Sequence, residues 1–165
     1  MNDFQQSYPW LNIIHSWQED DGFRLSMSRN KAINCANGKY LIIIDGDLIL
    51  EKHFIQDHIE NMEKGYFVQG SRVIVDEKNS KNLLKNRMPN FIFRLFEKGF
   101  KNKANMIRCG ILSKMFIKRD KKLSGIRGCN MAFFKEDLQK VNGFEEKIQG
   151  WGREDSEIAV RLYNN

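Results

Sequence analysis

Two pairs of carboxylates stand out in the 165-residue chain. The first is Asp45-Gly46-Asp47, directly after the apolar run Tyr40-Leu41-Ile42-Ile43-Ile44. Two carboxylates one residue apart can face a single divalent cation, and Mg²⁺ or Mn²⁺ prefers such oxygen ligands and commonly bridges to phosphates. A solvated acidic turn would have the same composition. The second pair is Glu154-Asp155, within Gly150-Trp151-Gly152-Arg153-Glu154-Asp155. Acidic residues at a helix N-terminus are favoured by the helix dipole. The flanking glycines let the backbone turn tightly and present the indole of Trp151. An indole packs against the apolar face of a sugar ring, and a neighbouring carboxylate can accept a hydroxyl proton. A capped helix with a buried Trp accounts for the same residues. Arg29-Asn30 is a third candidate, since a guanidinium can pair with phosphate or hydrogen-bond a base.

Positioning these residues requires a scaffold, and the hydrophobic pattern supplies one. Strands are expected at 10–17, 39–44, 66–75 and 130–134, the third kinked at Gly70. Helices are expected at 26–36, 51–63, 135–141 and from about 153 onward, several closed by glycine. The run 39–44 is continuous and β-branched, as in a strand buried on both faces of a parallel sheet. Alternating strands and helices make the class α/β. Asp45 and Asp47 then fall at the carboxyl end of a strand, where open α/β sheets bind their ligands.

Composition narrows the function classes. Hydrophobic residues make up 41% and charged residues 29%, a globular profile. No apolar run approaches the ~20 residues of a membrane span. The N-terminus lacks a secretory pattern, and Cys35, Cys109 and Cys129 show no zinc or disulfide spacing. These features lead to the expectation of a cytoplasmic protein. The net charge of +6 is local. Residues 78–122 hold 14 Lys and Arg against Glu97 and Asp120, a charge of +12, and the rest of the chain carries −6. This segment is expected to be a basic helical insertion in a single domain spanning 1–165. Its interleaved aromatics suit an anionic membrane surface, a lid over a cleft, or nucleic acid. No helix-turn-helix, zinc-ligand or RNA-recognition pattern accompanies it, so a nucleic-acid partner is not expected.

The order Gln18-Glu19-Asp20-Asp21-Gly22-Phe23-Arg24, Arg29-Asn30, Asp45-Gly46-Asp47, Gly128-Cys129-Asn130-Met131, Gly143-Phe144 and Gly150-Trp151-Gly152-Arg153-Glu154-Asp155 resembles the family 2 glycosyltransferases of the GT-A fold. More narrowly, it is similar to the bacterial branch related to chondroitin polymerase and the β-1,4-galactosyltransferases. The resemblance implies an open mixed sheet flanked by helices. It implies a metal-dependent, inverting transfer from a nucleotide-sugar, a UDP-sugar first, to a glycan or lipid-linked acceptor in cell-surface polysaccharide or lipopolysaccharide synthesis. Asp47 and Asp45 would ligate Mn²⁺ or Mg²⁺, with Asp45 also approaching the ribose. Arg29 and Asn30 would lie near the nucleotide, and Gly128 to Asn130 would line the donor sugar. Trp151 and Glu154 would hold the acceptor, and Asp155 would serve as the base.

Two departures from the family pattern are expected to matter. The first β-α-β portion, which carries part of the nucleoside site, has no counterpart before residue 10. A His after the last helix, often a third metal ligand, has none either, and His15, His53 and His58 are not in its place. An inactive truncated remnant of such an enzyme is the competing reading.

Overall fold

The computed structural model describes residues 2–86, 98–106 and 121–165. The fold is mixed α/β. In chain order the described elements are α1 (Asn2–Ser7), α2 (Leu25–Cys35), β1 (Tyr40–Ile44), α3 (Phe54–Asn61), β2 (Val68–Gln69), β3 (Ile74–Val75), α4 (Glu77–Asn86), β4 (Phe100–Lys101), a 3₁₀ turn (Lys103–Met106), β5 (Asn130–Phe134), α5 (Lys135–Lys140) and α6 (Glu154–Tyr163).

One sheet has the order β1-β5-β2, with both outer strands antiparallel to β5. Strands β1 and β2 therefore run parallel to each other. In register, Tyr40 faces Phe134 and Ile44 faces Asn130. A second, two-stranded sheet pairs β3 with β4.

Central β5 is the most deeply buried strand, and the core forms around it. Met131 and Phe133 pack with Ile33 of α2, Leu138 of α5, Phe144 and Ile158 of α6. Leu41 and Ile43 lean on the same cluster from β1, and Phe67 does so from the residue just before β2. This is the part of the chain where apolar periodicity from four elements converges on one strand, and burial of that area is the main stabilising term.

Four expectations require correction. Residues 10–17 form no strand. The chain turns at Pro9 and Trp10, then runs without ladder pairing, and Trp10, Ile14 and Trp17 are exposed. An apolar, β-branched stretch makes a strand only where a partner edge receives it. Strand β1 is half-buried instead of enclosed, because among the described residues it pairs only with β5, and that pairing is antiparallel. The expected strand 66–75 is broken into β2 and β3, which belong to different sheets. The break follows Gly70, where a Cβ would lie 1.8 Å from Nδ2 of Asn130, so no larger residue fits there as the chain stands. In the basic segment, α4 covers the start, but Phe100–Lys101 is a strand where helix was expected. Most of that segment, including Cys109 and the aromatics Phe91, Phe93 and Phe96, lies outside the described residues. Helix α1 had no forecast.

Candidate functional site

The two carboxylate pairs meet through Arg29. Helix α2 presents this arginine inward, and it is only 8% exposed. Its Nη2 donates to Oδ1 of Asp45 at 3.2 Å and to the carbonyl of Gly128 at 3.2 Å. Its Nη1 donates to Oε1 of Glu154 at 3.4 Å. The guanidinium carbon stands 5.2 Å from the ring centroid of Phe144, so the cation also rests on an aromatic face. Arginine suits this position because its planar fork can serve several acceptors at once. Gly128 is required for the approach, since a Cβ there would come within 2.9 Å of both terminal nitrogens of Arg29.

Each member of the hub is fixed by its own element. Asp45 follows β1, and its backbone N–H donates to the Cys129 carbonyl at 3.1 Å. Glu154 is the first residue of α6, 8% exposed, and its Oε2 is buried with no partner among the described residues. Asp155 is half-buried. Its Oδ2 accepts from the Gly128 N–H at 2.8 Å, and its Oδ1 accepts from the Ser156 N–H at 2.7 Å. The loop before α6 is built from left-handed backbone, with φ of +92° at Gly150, +95° at Gly152 and +77° at Arg153. Two of those three positions are glycine, which adopts this region without steric cost. The outcome is a Trp151 side chain 91% exposed, so the reading of a buried Trp is excluded. The Gly150 N–H donates to the Phe23 carbonyl at 3.1 Å, which ties this loop to the acidic turn ahead of α2.

Asn30 does a different task from its neighbour. Its Oδ1 accepts from the Phe144 N–H at 2.8 Å, while its Nδ2 donates to the Phe144 carbonyl at 2.8 Å and to Oε1 of Glu146 at 2.9 Å. It clamps the turn at Gly143, whose φ is +67° and where a Cβ would meet Oδ1 of Asn30 at 2.5 Å.

Asn130 opens β5 opposite Ile44 and is buried. Its Oδ1 lies 2.9 Å from Nε2 of His58, a buried residue on α3. The Oδ1 is the acceptor, so Nε2 carries the proton in neutral His58. Its Nδ1 is then buried without a partner among the described residues. Burial lowers the His58 pKa from its ordinary value, partly offset by the Asn130 hydrogen bond and the nearby Asp57 charge. The pair His58–Asn130 was not foreseen. The only signal was that His58 falls on the apolar face of its helix.

Asp47 is exposed and has no partner among the described residues. Asp45 gives Arg29 only its Oδ1. The described residues hold no cluster of three or more His, Cys, Asp or Glu able to hold a metal. A pair of carboxylates is nevertheless a fitting donor set for Mg²⁺ or Mn²⁺ when substrate phosphates and water complete the shell.

The arrangement thus brings Asp45, Gly128, Glu154 and Asp155 together, sets Asn130 beside them at the end of β5, and leaves Asp47 and Trp151 facing solvent. Arg29 and Asn30 are engaged by protein groups.

Residues 111–165 match the family model described as the N-terminal domain of galactosyltransferase. Over 177 residues, or 93% of this chain, the sequence is 27% identical to a chondroitin synthase of Escherichia coli. Over 168 residues, again 93% of the chain, it is 27% identical to a chondroitin synthase of Pasteurella multocida (strain Pm70). The chain spans 24% and 17% of the length of these two relatives. Both findings bear out the resemblance drawn from the motifs: the chain is similar to glycosyltransferases, and along nearly its whole length to a part of the chondroitin synthases.

Proposed function

We propose that this chain is a metal-dependent, inverting glycosyltransferase domain of GT-A type. It moves a sugar from a nucleotide-sugar, first of all a UDP-sugar, to a hydroxyl of a glycan or lipid-linked acceptor in cell-surface polysaccharide or lipopolysaccharide synthesis. The observation that carries this reading is the Arg29 hub. It draws the end of β1 and the start of α6 to one place, although Arg29 and Glu154 are 125 residues apart in sequence.

In this reading Asp45 and Asp47 hold Mn²⁺ or Mg²⁺. When bound, such an ion neutralises charge on the departing nucleoside diphosphate. Arg29 fixes the direction of Asp45 and offsets the charge of Glu154, and Asn30 fixes the 143–146 turn; both serve the nucleotide site from behind. Gly128 and Asn130 line the donor sugar. Trp151 offers its exposed indole to the acceptor ring, and Glu154 orients an acceptor hydroxyl. Asp155 takes the proton of the attacking hydroxyl while the new bond forms on the face of the anomeric carbon opposite the leaving diphosphate, which inverts that centre. The hydrogen bond from the Gly128 N–H aims Asp155 in advance, and a pre-aimed base lowers the barrier.

The whole chain is one domain with residues 78–122 as a basic insertion, and it works at the cytoplasmic face of the membrane. The exposed Lys78, Lys81 and Lys85 on α4, beside Leu84 at 74% exposure, support contact with anionic lipid. No helix of the described residues is long and apolar enough to cross a membrane.

The test is Asp155→Asn, which keeps shape and removes the proton acceptor. Turnover of a UDP-sugar should fall on the order of 10²–10⁴-fold with donor binding retained. A fall of less than tenfold would remove Asp155 from the role.

A further inference from the structure

Arg72 lies between β2 and β3 and has no part in the hub. Its Nε is buried and has no hydrogen-bond partner among the described residues. The side chain forms no ion pair with any described acid. The residue as a whole is half-buried. A desolvated N–H without an acceptor is a standing cost, and it is removed when an acceptor binds.

The backbone holds Arg72 in place on both sides. Two residues earlier, the Gly70 N–H donates to the Asn130 carbonyl at 2.9 Å. Asn105, on the 3₁₀ turn, donates through Nδ2 to the carbonyl of Arg72 at 2.9 Å. Its place in the sheet is also defined. Strands β1 and β2 are both antiparallel to β5, so their carboxyl ends lie on the same side and flank Asn130. Asp45 and Asp47 leave from one of those ends, and Arg72 follows the other.

From this placement we infer that Arg72 is an oxyanion-binding residue, taking a phosphate or carboxylate through Nε–H and an adjacent N–H of its fork. Guanidinium geometry matches both groups in a two-pronged bond, which lysine cannot form. The inference rests on the proposed function only for the origin of the anion. That origin is either the diphosphate of the donor or the carboxylate of an acidic sugar.

Calorimetry on the 165-residue chain in metal-free, chelator-containing buffer separates the two. Inorganic pyrophosphate is the first probe and galacturonate the second. One of them should bind, at least tenfold more weakly in Arg72→Gln and at least threefold more weakly in Arg72→Lys. Lys64→Gln, which removes an exposed cation ahead of the opposite end of β2, should change that affinity less than twofold. Loss confined to pyrophosphate assigns the diphosphate, and loss confined to galacturonate assigns an acidic sugar. If Arg72→Gln does not fold, Arg72→Lys decides alone, because it keeps the charge and lacks the fork. Binding of neither anion, or affinities unchanged by the Arg72 substitutions, would overturn the inference. Failure of the glycosyltransferase reading would instead show as absent metal-dependent nucleotide binding, with the Arg72 effect intact.

Discussion

Residues 8–23 and the Arg29 hub contain similarly suggestive residues, and they behave in opposite ways. The first region is rich in aromatic and branched side chains, yet Trp10, Ile14, Trp17 and Phe23 remain exposed. The second holds a cation and two acids, yet Arg29 and Glu154 are buried. Apolar character alone did not bury the first region because no ladder partner among the described residues receives it. Charge did not exclude the second from the interior because each charge has a counterpart. Burial here follows available partners more closely than it follows hydropathy.

The strongest way to break this contrast is Arg29→Ala. It would leave Glu154 buried and uncompensated and release both Asp45 and the Gly128 carbonyl. Removing one member of a buried ionic group typically costs about 3–5 kcal/mol. Urea unfolding should register a loss of that size, and a loss under about 1 kcal/mol would mean the hub is peripheral to stability.

A smaller effect is expected at His58. Its folded pKa lies below the ordinary value of about 6.5, so below that pH the unfolded chain takes up a proton that the folded chain resists. His58 therefore adds a stabilising contribution that is present above about pH 6.5 and is lost as pH falls through its folded pKa. Unfolding of the parent chain and His58→Gln compared at pH 7 and pH 5 should show the steeper acid loss in the parent. Equal slopes would contradict the burial argument.

The smallest effect belongs to the exposed region. Trp17→Ser should change unfolding free energy by less than about 0.5 kcal/mol, the usual range for surface substitutions. A loss above about 2 kcal/mol would show that residues 8–23 pack far more tightly than their exposure indicates.

The legible parts of the fold were those with local signals. Helix α2, strand β1, strand β5 and helices α5 and α6 lie where periodicity and glycine stops put them, within about a residue or two at their ends. The 66–75 segment read as one strand kinked at Gly70, and the glycine marked the place of the break; what no local pattern carries is the parting of its halves into two sheets, because β2 pairs with β5 and β3 with β4. The site was legible as residue types in order. Its connections were not, since Arg29 reaches Glu154 and Gly128 across more than 95 residues of chain. Nothing near Asn30 in sequence announces that it clamps Phe144. His58 gave least warning, because a histidine on an apolar helix face carries no mark of its partner.

The central claim is that the two carboxylate pairs joined by Arg29 serve different halves of one reaction, Asp45 and Asp47 the metal and nucleotide, Glu154 and Asp155 the acceptor. The most direct measurement is a thermal-shift titration with Mn²⁺ and UDP on the parent chain, Asp47→Ala and Asp155→Asn. A ligand that binds only the folded state raises the melting temperature. The parent and Asp155→Asn should show a metal-dependent rise, and Asp47→Ala should lose it. An undiminished rise in Asp47→Ala, or its loss in a folded Asp155→Asn, would contradict this division of the site.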